Sequence, residues 1–319
     1  MIKKLLSLIS VLLLAALIAG CGASPAQTPD ADTNAPAAAG EPLKIGIPDD
    51  ATNGGRAIKL LETAGLIEVD PAAGWTPELK DVTKYLYNIE IVPTQANTLP
   101  ATLDDFACAI INGTYAVPAG LIPSVDGLIV ESQEEASGSG ENPFVNIVVA
   151  RSEDAGNEVY KTIIDALHTD LVGQYTLAKF NETFIPAFEY SNTDKSDAEL
   201  VEEIDAYKSS KDGKTVVTLG VCGASNDYWY AVQKVLDAQG ANIYIELVEF
   251  DAYNLPNEAL NSGDIDLNSF QHKAYLANEV GTQGYEIEAI GDSIMAPLTL
   301  YSKQYDSVDA LKAAAGEVA

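Results

Sequence analysis

Apolar positions between residues 43 and 140 come as short runs separated by stretches with helical spacing. Leu43 to Ile47 is an apolar run closed by Pro48, which predicts a buried strand. Ala57, Leu60, Leu61 and Ala64 then recur at i, i+3, i+4 and i+7, which predicts a helix starting near Arg56 and stopping at Gly65. Ile89–Val92 alternates like a strand, and Leu99–Asp105 reads as a short helix. Ala107–Ile111 is a buried strand that runs into the loop Asn112-Gly113-Thr114-Tyr115-Ala116, and Leu128–Glu131 is a further strand. Such alternation predicts parallel α/β sheets, whose ligands lie beyond the carboxyl ends of the strands.

The pattern continues after a polar, Gly/Ser-rich crossing at 132–142. A strand at 145–150 is followed by helices near 157–167 and 170–180. Residues 189–214 are polar and charged, which predicts a linker carrying an exposed helix over Ala198–Tyr207. A second series follows: strand 215–221, helix 228–239 stopped by Gly240, strand 243–250, helix 256–261, strand 265–270 and helix 273–280. Strands near 285–290 and 297–302 and a short helix from Ser307 to Ala315 complete it.

The first residues follow a different pattern. Lys3 and Lys4 precede an apolar stretch from Leu5 to Ala19, then Ile18-Ala19-Gly20-Cys21. This predicts an export signal over 1–21 with Cys21 as a lipid-modified first mature residue. The apolar stretch is short for a membrane-spanning helix. Residues 22–42 are rich in Ala, Pro, Asp, Thr and Gly and predict a tether. A net charge of -29 argues against nucleic-acid partners.

Candidate chemistry is sparse. Gly213-Lys214-Thr215 lacks the leading Gly of a phosphate-binding loop, because Lys208 stands there. Asp264-x-Asp266-x-Asn268 lacks the turn Gly and bidentate Glu of a calcium loop, with Ser269 and Tyr275 in those places. With two His in the whole chain, no His/Cys metal cluster or Ser–His hydrolase is expected, and no cofactor; a carboxylate metal site stays open. Cys108 and Cys222 read as small buried side chains. Pro48-Asp49-Asp50-Ala51-Thr52-Asn53-Gly54-Gly55-Arg56 is different. Its glycines permit close backbone approach, the following helix start attracts an anion, and Arg56 is a two-pronged carboxylate donor. Against this stands the plain reading of a strand–turn–helix with a solvated Arg.

Taken together, several runs resemble the methionine-binding lipoproteins of bacterial ABC importers. They include Ile47–Ala57, Ile110–Ala116, Asn142-Pro143-Phe144-Val145-Asn146, Ile185-Pro186-Ala187-Phe188, Phe250–Leu260 and Phe270-Gln271-His272-Lys273-Ala274-Tyr275-Leu276. The two halves stand in the opposite order from that family's. The resemblance therefore reads as a circular permutant joined through 189–214, with a fragment of a tandem array or a fused pair as the rival account. It implies an α/β two-lobe fold of the periplasmic-binding-protein-like kind (type 2), with one lobe at 43–140 completed by 304–319 and the other at 141–303.

The resemblance also implies roles. Arg56 would clamp a ligand carboxylate and Asn112 would bind the amino-acid head, with Asn53, Tyr115 and Asn257 alongside. Tyr253, Phe270, His272 and Tyr275 would wall the side-chain pocket; packing or helix capping is the plain alternative for each. The implied protein is a non-enzymatic, lipid-anchored binder on the extracytoplasmic face. It would hand methionine to an ABC permease and its ATPase, without a cofactor. Thr114 and the loop Gly220–Trp229 depart from the family's pattern, which leaves another apolar amino acid or a short peptide open as ligand. An extracellular enzyme and a surface adhesin are the readings from other classes.

Overall fold

The computed structural model describes residues 40–132 and 142–318. Cys21, the export segment and most of the tether lie outside the described residues. Among the described residues no helix is long and apolar enough to cross a membrane.

The strands, in chain order, are β1 (Leu43–Pro48), β2 (Ile67–Val69), β3 (Val82–Tyr85), β4 (Ile89–Thr94), β5 (Cys108–Ile111), β6 (Gly127–Val130) and β7 (Val145–Arg151). They continue as β8 (Ile185–Pro186), β9 (Thr215–Cys222), β10 (Ile243–Phe250), β11 (Leu267–His272), β12 (Ile287–Met295) and β13 (Thr299–Tyr301). The first sheet has the order β4-β1-β5-β13-β6 and the second β10-β9-β11-β7-β12-β8. Strand β1 lies parallel to β4 and β5, while β13 is antiparallel to β5 and β6. Strand β9 lies parallel to β10 and β11, while β7 is antiparallel to β11 and β12.

The chain thus builds four strands of the first sheet, then the whole of the second, and returns with β13 as an antiparallel strand of the first. That path makes two α/β lobes joined by two connections, one between β6 and β7 and one at 296–298. The expected return to the first lobe at 304 comes earlier, because β13 at Thr299–Tyr301 is already paired into its sheet.

Apolar burial explains the layers. Ile45, Ile47, Leu61 and Ile110 form one face of the first sheet's core together with Leu311 from the last helix, Val308–Ala315. Leu99, Leu103, Phe106 and Tyr301 fill the other face. The second sheet packs Val148, Leu219 and Leu267 against the helices Glu158–Leu167, Asp170–Lys179 and Tyr228–Gln239. A β2–β3 hairpin adds a two-stranded sheet that the apolar pattern did not announce.

Two expectations are corrected. The helix expected to begin near Arg56 spans Ala51–Thr63, so Gly54 and Gly55 lie inside it. Close packing accounts for both glycines. A Cβ on Gly54 would stand 2.9 Å from the Pro48 carbonyl oxygen, and one on Gly55 would stand 2.5 Å from Thr76 Cα. The helix of residues 189–214 is exposed on one face only. It spans Asp197–Asp205, and Leu200 and Ile204 are fully buried in the second lobe's core. Gln174 Nε2 donates to Asp197 at 2.7 Å at its start, and at its end Tyr175 Oη donates to Asp205 at 2.8 Å and Tyr207 Oη to Asp237 at 2.6 Å.

Candidate functional site

The site begins where β1 ends. Asp50 caps the helix Ala51–Thr63 by accepting from the backbone N–H of Asn53 at 2.9 Å and from Thr52 Oγ1 at 3.0 Å. Asn53 Nδ2 also donates to both Asp50 carboxylate oxygens, at 3.1 and 3.0 Å. The helix start expected to hold an anion from outside is therefore already served by Asp50.

Fixing Nδ2 on Asp50 turns Asn53 Oδ1 the other way, where it collects three donors. They are Arg56 Nη1 at 3.1 Å, Asn112 Nδ2 at 3.1 Å and His272 Nε2 at 3.3 Å. Asn53 and Arg56 come from the first helix, Asn112 from the end of β5, and His272 from the end of β11 in the other lobe. The cleft is thus bridged by one hydrogen-bonded node.

His272 caps its own helix, Lys273–Gln283. Its Nδ1 accepts the Tyr275 backbone N–H at 3.1 Å, so the neutral ring carries its proton on Nε2, facing Asn53. Burial, and then the Arg56 charge, hold the imidazole pKa well below its ordinary value, so the ring stays neutral.

Arg56 is 3 % exposed and already paired. Its Nε and Nη2 donate to the two oxygens of Glu131 at 3.0 and 2.5 Å, and Nη2 also reaches the Ala296 carbonyl at 3.4 Å. With Nη1 giving one proton to Asn53, one of the five guanidinium N–H groups is left over. The expected two-pronged clamp on a ligand is in this structure a clamp on Glu131. The guanidinium carbon also sits 4.5 Å over the Phe144 ring, which meets His272 edge-on at 5.3 Å.

Asn112 completes the head of the cavity. Its Nδ2 is given to Asn53, and its Oδ1 is buried without a hydrogen-bond partner among the described residues. The opposite wall is aromatic: Tyr253, Phe270 and Tyr275 have ring centroids 5.9–6.2 Å apart. Burial pushes the Tyr253 and Tyr275 phenols far up, so both stay protonated. The space among these residues is about 330 Å³ counted with its open mouth, of which the enclosed part is about 20 Å³.

Seven of the expected residues line this cavity: Asn53, Arg56, Asn112, Tyr253, Phe270, His272 and Tyr275. Two do not. Asn257 is fully buried beneath it in an amide network, exchanging bonds with Gln271 at 2.9 and 2.6 Å and accepting from Asn268 at 2.9 Å. It holds Gln271, which does line the cavity. Tyr115 stacks on Tyr253 at 5.0 Å and donates to the Asp251 carbonyl at 3.3 Å, lining a neighbouring recess instead.

Sequence reasoning missed Phe144, Asn146, Gln271, Ala296 and Glu131. The Asn142–Asn146 run pointed to the first two; nothing local marks Glu131, whose partner is 75 residues away. Among the described residues Cys108 and Cys222 are buried and unpaired. Burial pushes the Cys108 thiol up to about 12.

A family model described as NlpA lipoprotein matches residues 41–188 and 217–319. The D-methionine-binding lipoprotein MetQ of Yersinia pestis is 38% identical over 140 residues, which cover 43% of this chain and 49% of that protein. The protein of the same name from Escherichia coli is 36% identical over the same shares. A solved nutrient binding protein from Burkholderia cenocepacia, bound to methionine, is 33% identical over 29% of this chain and 39% of its own, with a TM-score of 0.28. The chain spans about half the length of the curated relatives it matches.

Proposed function

The chain belongs to the NlpA lipoprotein family, and from that premise we propose that it is a non-enzymatic, extracytoplasmic substrate-binding protein that captures an amino acid, methionine first among candidates, by closure of its two lobes. The single observation that carries this reading is Asn112. Its Oδ1 is a buried acceptor without a partner among the described residues, at the head of a cavity where its own Nδ2 is already committed. Leaving such an atom unpaired costs about 1–3 kcal/mol, which a ligand ammonium group would recover. The remaining Nη1–H of Arg56 supplies a donor for the ligand carboxylate. The Tyr253–Phe270–Tyr275 wall suits an uncharged side chain, and a flexible thioether packs well against aromatic rings. Methionine itself is suggested by its relatives, the D-methionine-binding lipoproteins of Yersinia pestis and Escherichia coli.

Cys21 would carry the lipid that holds the protein at the membrane, and an ABC permease with its ATPase would receive the ligand. The non-enzymatic reading rests on family membership. We also read the two matched stretches as standing in permuted order. In support, residues 189–216 fall between them, and Asn88 binds both ends of the described chain: its Nδ2 donates to the Gly40 carbonyl at 2.8 Å and its N–H to Gly316 at 3.0 Å. Ends that close are what permutation requires.

The test is a thermal melt of residues 24–319 with and without excess L- or D-methionine. At about 100 times the dissociation constant, a ligand adds roughly 2.7 kcal/mol. That raises the midpoint by roughly 5–11 °C for a protein of this size. No shift with either enantiomer removes methionine as the ligand.

A further inference from the structure

The central cavity continues past Phe270 and Ala296 into a second compartment. Thr114, Asn146, Phe270 and Ala296 line both spaces. The far wall is made by Cys222, Ser225, Asn226 and Tyr228, from β9 and the loop after it, with Ser269 of β11. This is the loop whose sequence departs from the pattern of the resembling family.

Two of its hydroxyls are buried and only loosely paired with each other, and Asn226 is half-buried. Tyr228 and Ser269 are 3 % and 4 % exposed, and their hydroxyls stand 3.5 Å apart, beyond the normal range for O–H···O bonds. Asn226 spends its Nδ2 on the carbonyls of Cys222 and Gly223 at 3.3 and 2.6 Å, which leaves Oδ1 as its spare acceptor. Among the described residues no Asp, Glu, Lys, Arg or His lines the compartment. An ionised group placed there would lose its hydration without gaining a counter-charge, whereas a neutral polar group would find donors and acceptors.

We propose that this compartment reads the tip of the ligand's side chain, and that the preferred ligand is an unbranched amino acid whose side chain ends in an uncharged hydrogen-bonding group. The inference rests on the amino-acid head being held at Arg56, Asn53 and Asn112. A side chain then runs along Phe270 and Ala296 and ends between Tyr228, Ser269 and Asn226. A thioether is a weak acceptor there, an amide or sulfoxide a strong one. A hydrocarbon tip would strand the two hydroxyls, and a site built for hydrogen bonding rejects an analogue that lacks the group.

The experiment is calorimetric titration of the purified full chain with L-glutamine, L-methionine sulfoxide, L-methionine and L-norleucine. Glutamine or the sulfoxide is expected to bind more tightly than norleucine by about tenfold or more. Ser269→Ala combined with Tyr228→Phe should remove that advantage, with glutamine and the sulfoxide weakened and norleucine bound at least as tightly as by the parent. A smaller advantage in the parent, or an advantage that survives both substitutions, overturns the proposal while the amino-acid head stands. Failure of all four to bind overturns the head reading itself, and this inference with it.

Discussion

Arg56 and Glu131 meet as a two-pronged ion pair at the place where both connections between the lobes pass. Glu131 follows β6 and opens the first connection, and its Oε2 also accepts the backbone N–H of Leu298, in the second connection, at 3.1 Å. Arg56 reaches that second connection as well, through Ala296. The guanidinium over the cavity is thereby tied to the two strands about which the lobes would hinge.

Removing the Glu131 charge strands a buried guanidinium, because Arg56 and Glu131 side chains are 3 % and 12 % exposed. Glu131→Gln should destabilise the protein by about 3 kcal/mol or more. The melting midpoint should fall by roughly 6–12 °C. A fall within the error of the melt would mean that Arg56 is held by Asn53 and Ala296 alone.

Gly55→Ala should destabilise, although alanine is favoured over glycine in a helix by about 1 kcal/mol. The new Cβ would stand 2.5 Å from Thr76 Cα and 2.8 Å from its carbonyl carbon, both backbone atoms that cannot swing aside. Denaturant midpoints of parent and variant decide it; a stabilised variant would show that the 76–77 segment yields without cost.

His272 gives a pH signature. Its folded pKa lies well below its ordinary value, first through burial and then through Arg56. An unfolded histidine titrates near about 6.5. The unfolded chain therefore takes up the extra proton first as pH falls. The stability tied to the neutral ring is complete above that value and is lost progressively below it, by at most about 1.4 kcal/mol per pH unit. Urea midpoints should drop more between pH 7.5 and 5.5 in the parent than in His272→Gln, where this component is absent. Equal drops would place the proton elsewhere.

The segment between the two family-matched stretches should behave as core. Leu200 is fully buried, and Leu200→Ala should cost about 2–5 kcal/mol. A flexible linker would tolerate the change, and an unchanged midpoint would contradict the packing seen here.

Much of the cavity was legible because it is assembled from strand ends, and strand ends show in the apolar pattern. Asn112 follows β5 and His272 ends β11, each at the close of a short apolar or alternating run. What escaped depends on contacts distant in sequence. Gly54 and Gly55 carry a turn signal locally, yet the neighbouring backbone at Pro48 and Thr76 turns them into helix positions where a side chain would collide. Leu200 and Ile204 had helical spacing, but the acidic residues around them suggested solvent on every side. Asn257 sits two residues after Tyr253-Asn254-Leu255, near the cavity in sequence, and its amide is consumed by Gln271 and Asn268. Glu131 gave no sign of its role, because neither its strand nor its neighbours name Arg56.

The central claim is that Asn112 Oδ1 receives the ligand's ammonium group. Equilibrium dialysis with radiolabelled L-methionine, comparing the parent with Asn112→Leu, measures it most directly. The substitution removes the orphaned acceptor, and truncating one side of a charge-assisted hydrogen bond costs about 2–5 kcal/mol in binding. The account predicts saturable binding in the parent and a loss of about thirtyfold or more in the variant. Equal affinity in the two proteins, with both melting cooperatively, would contradict it.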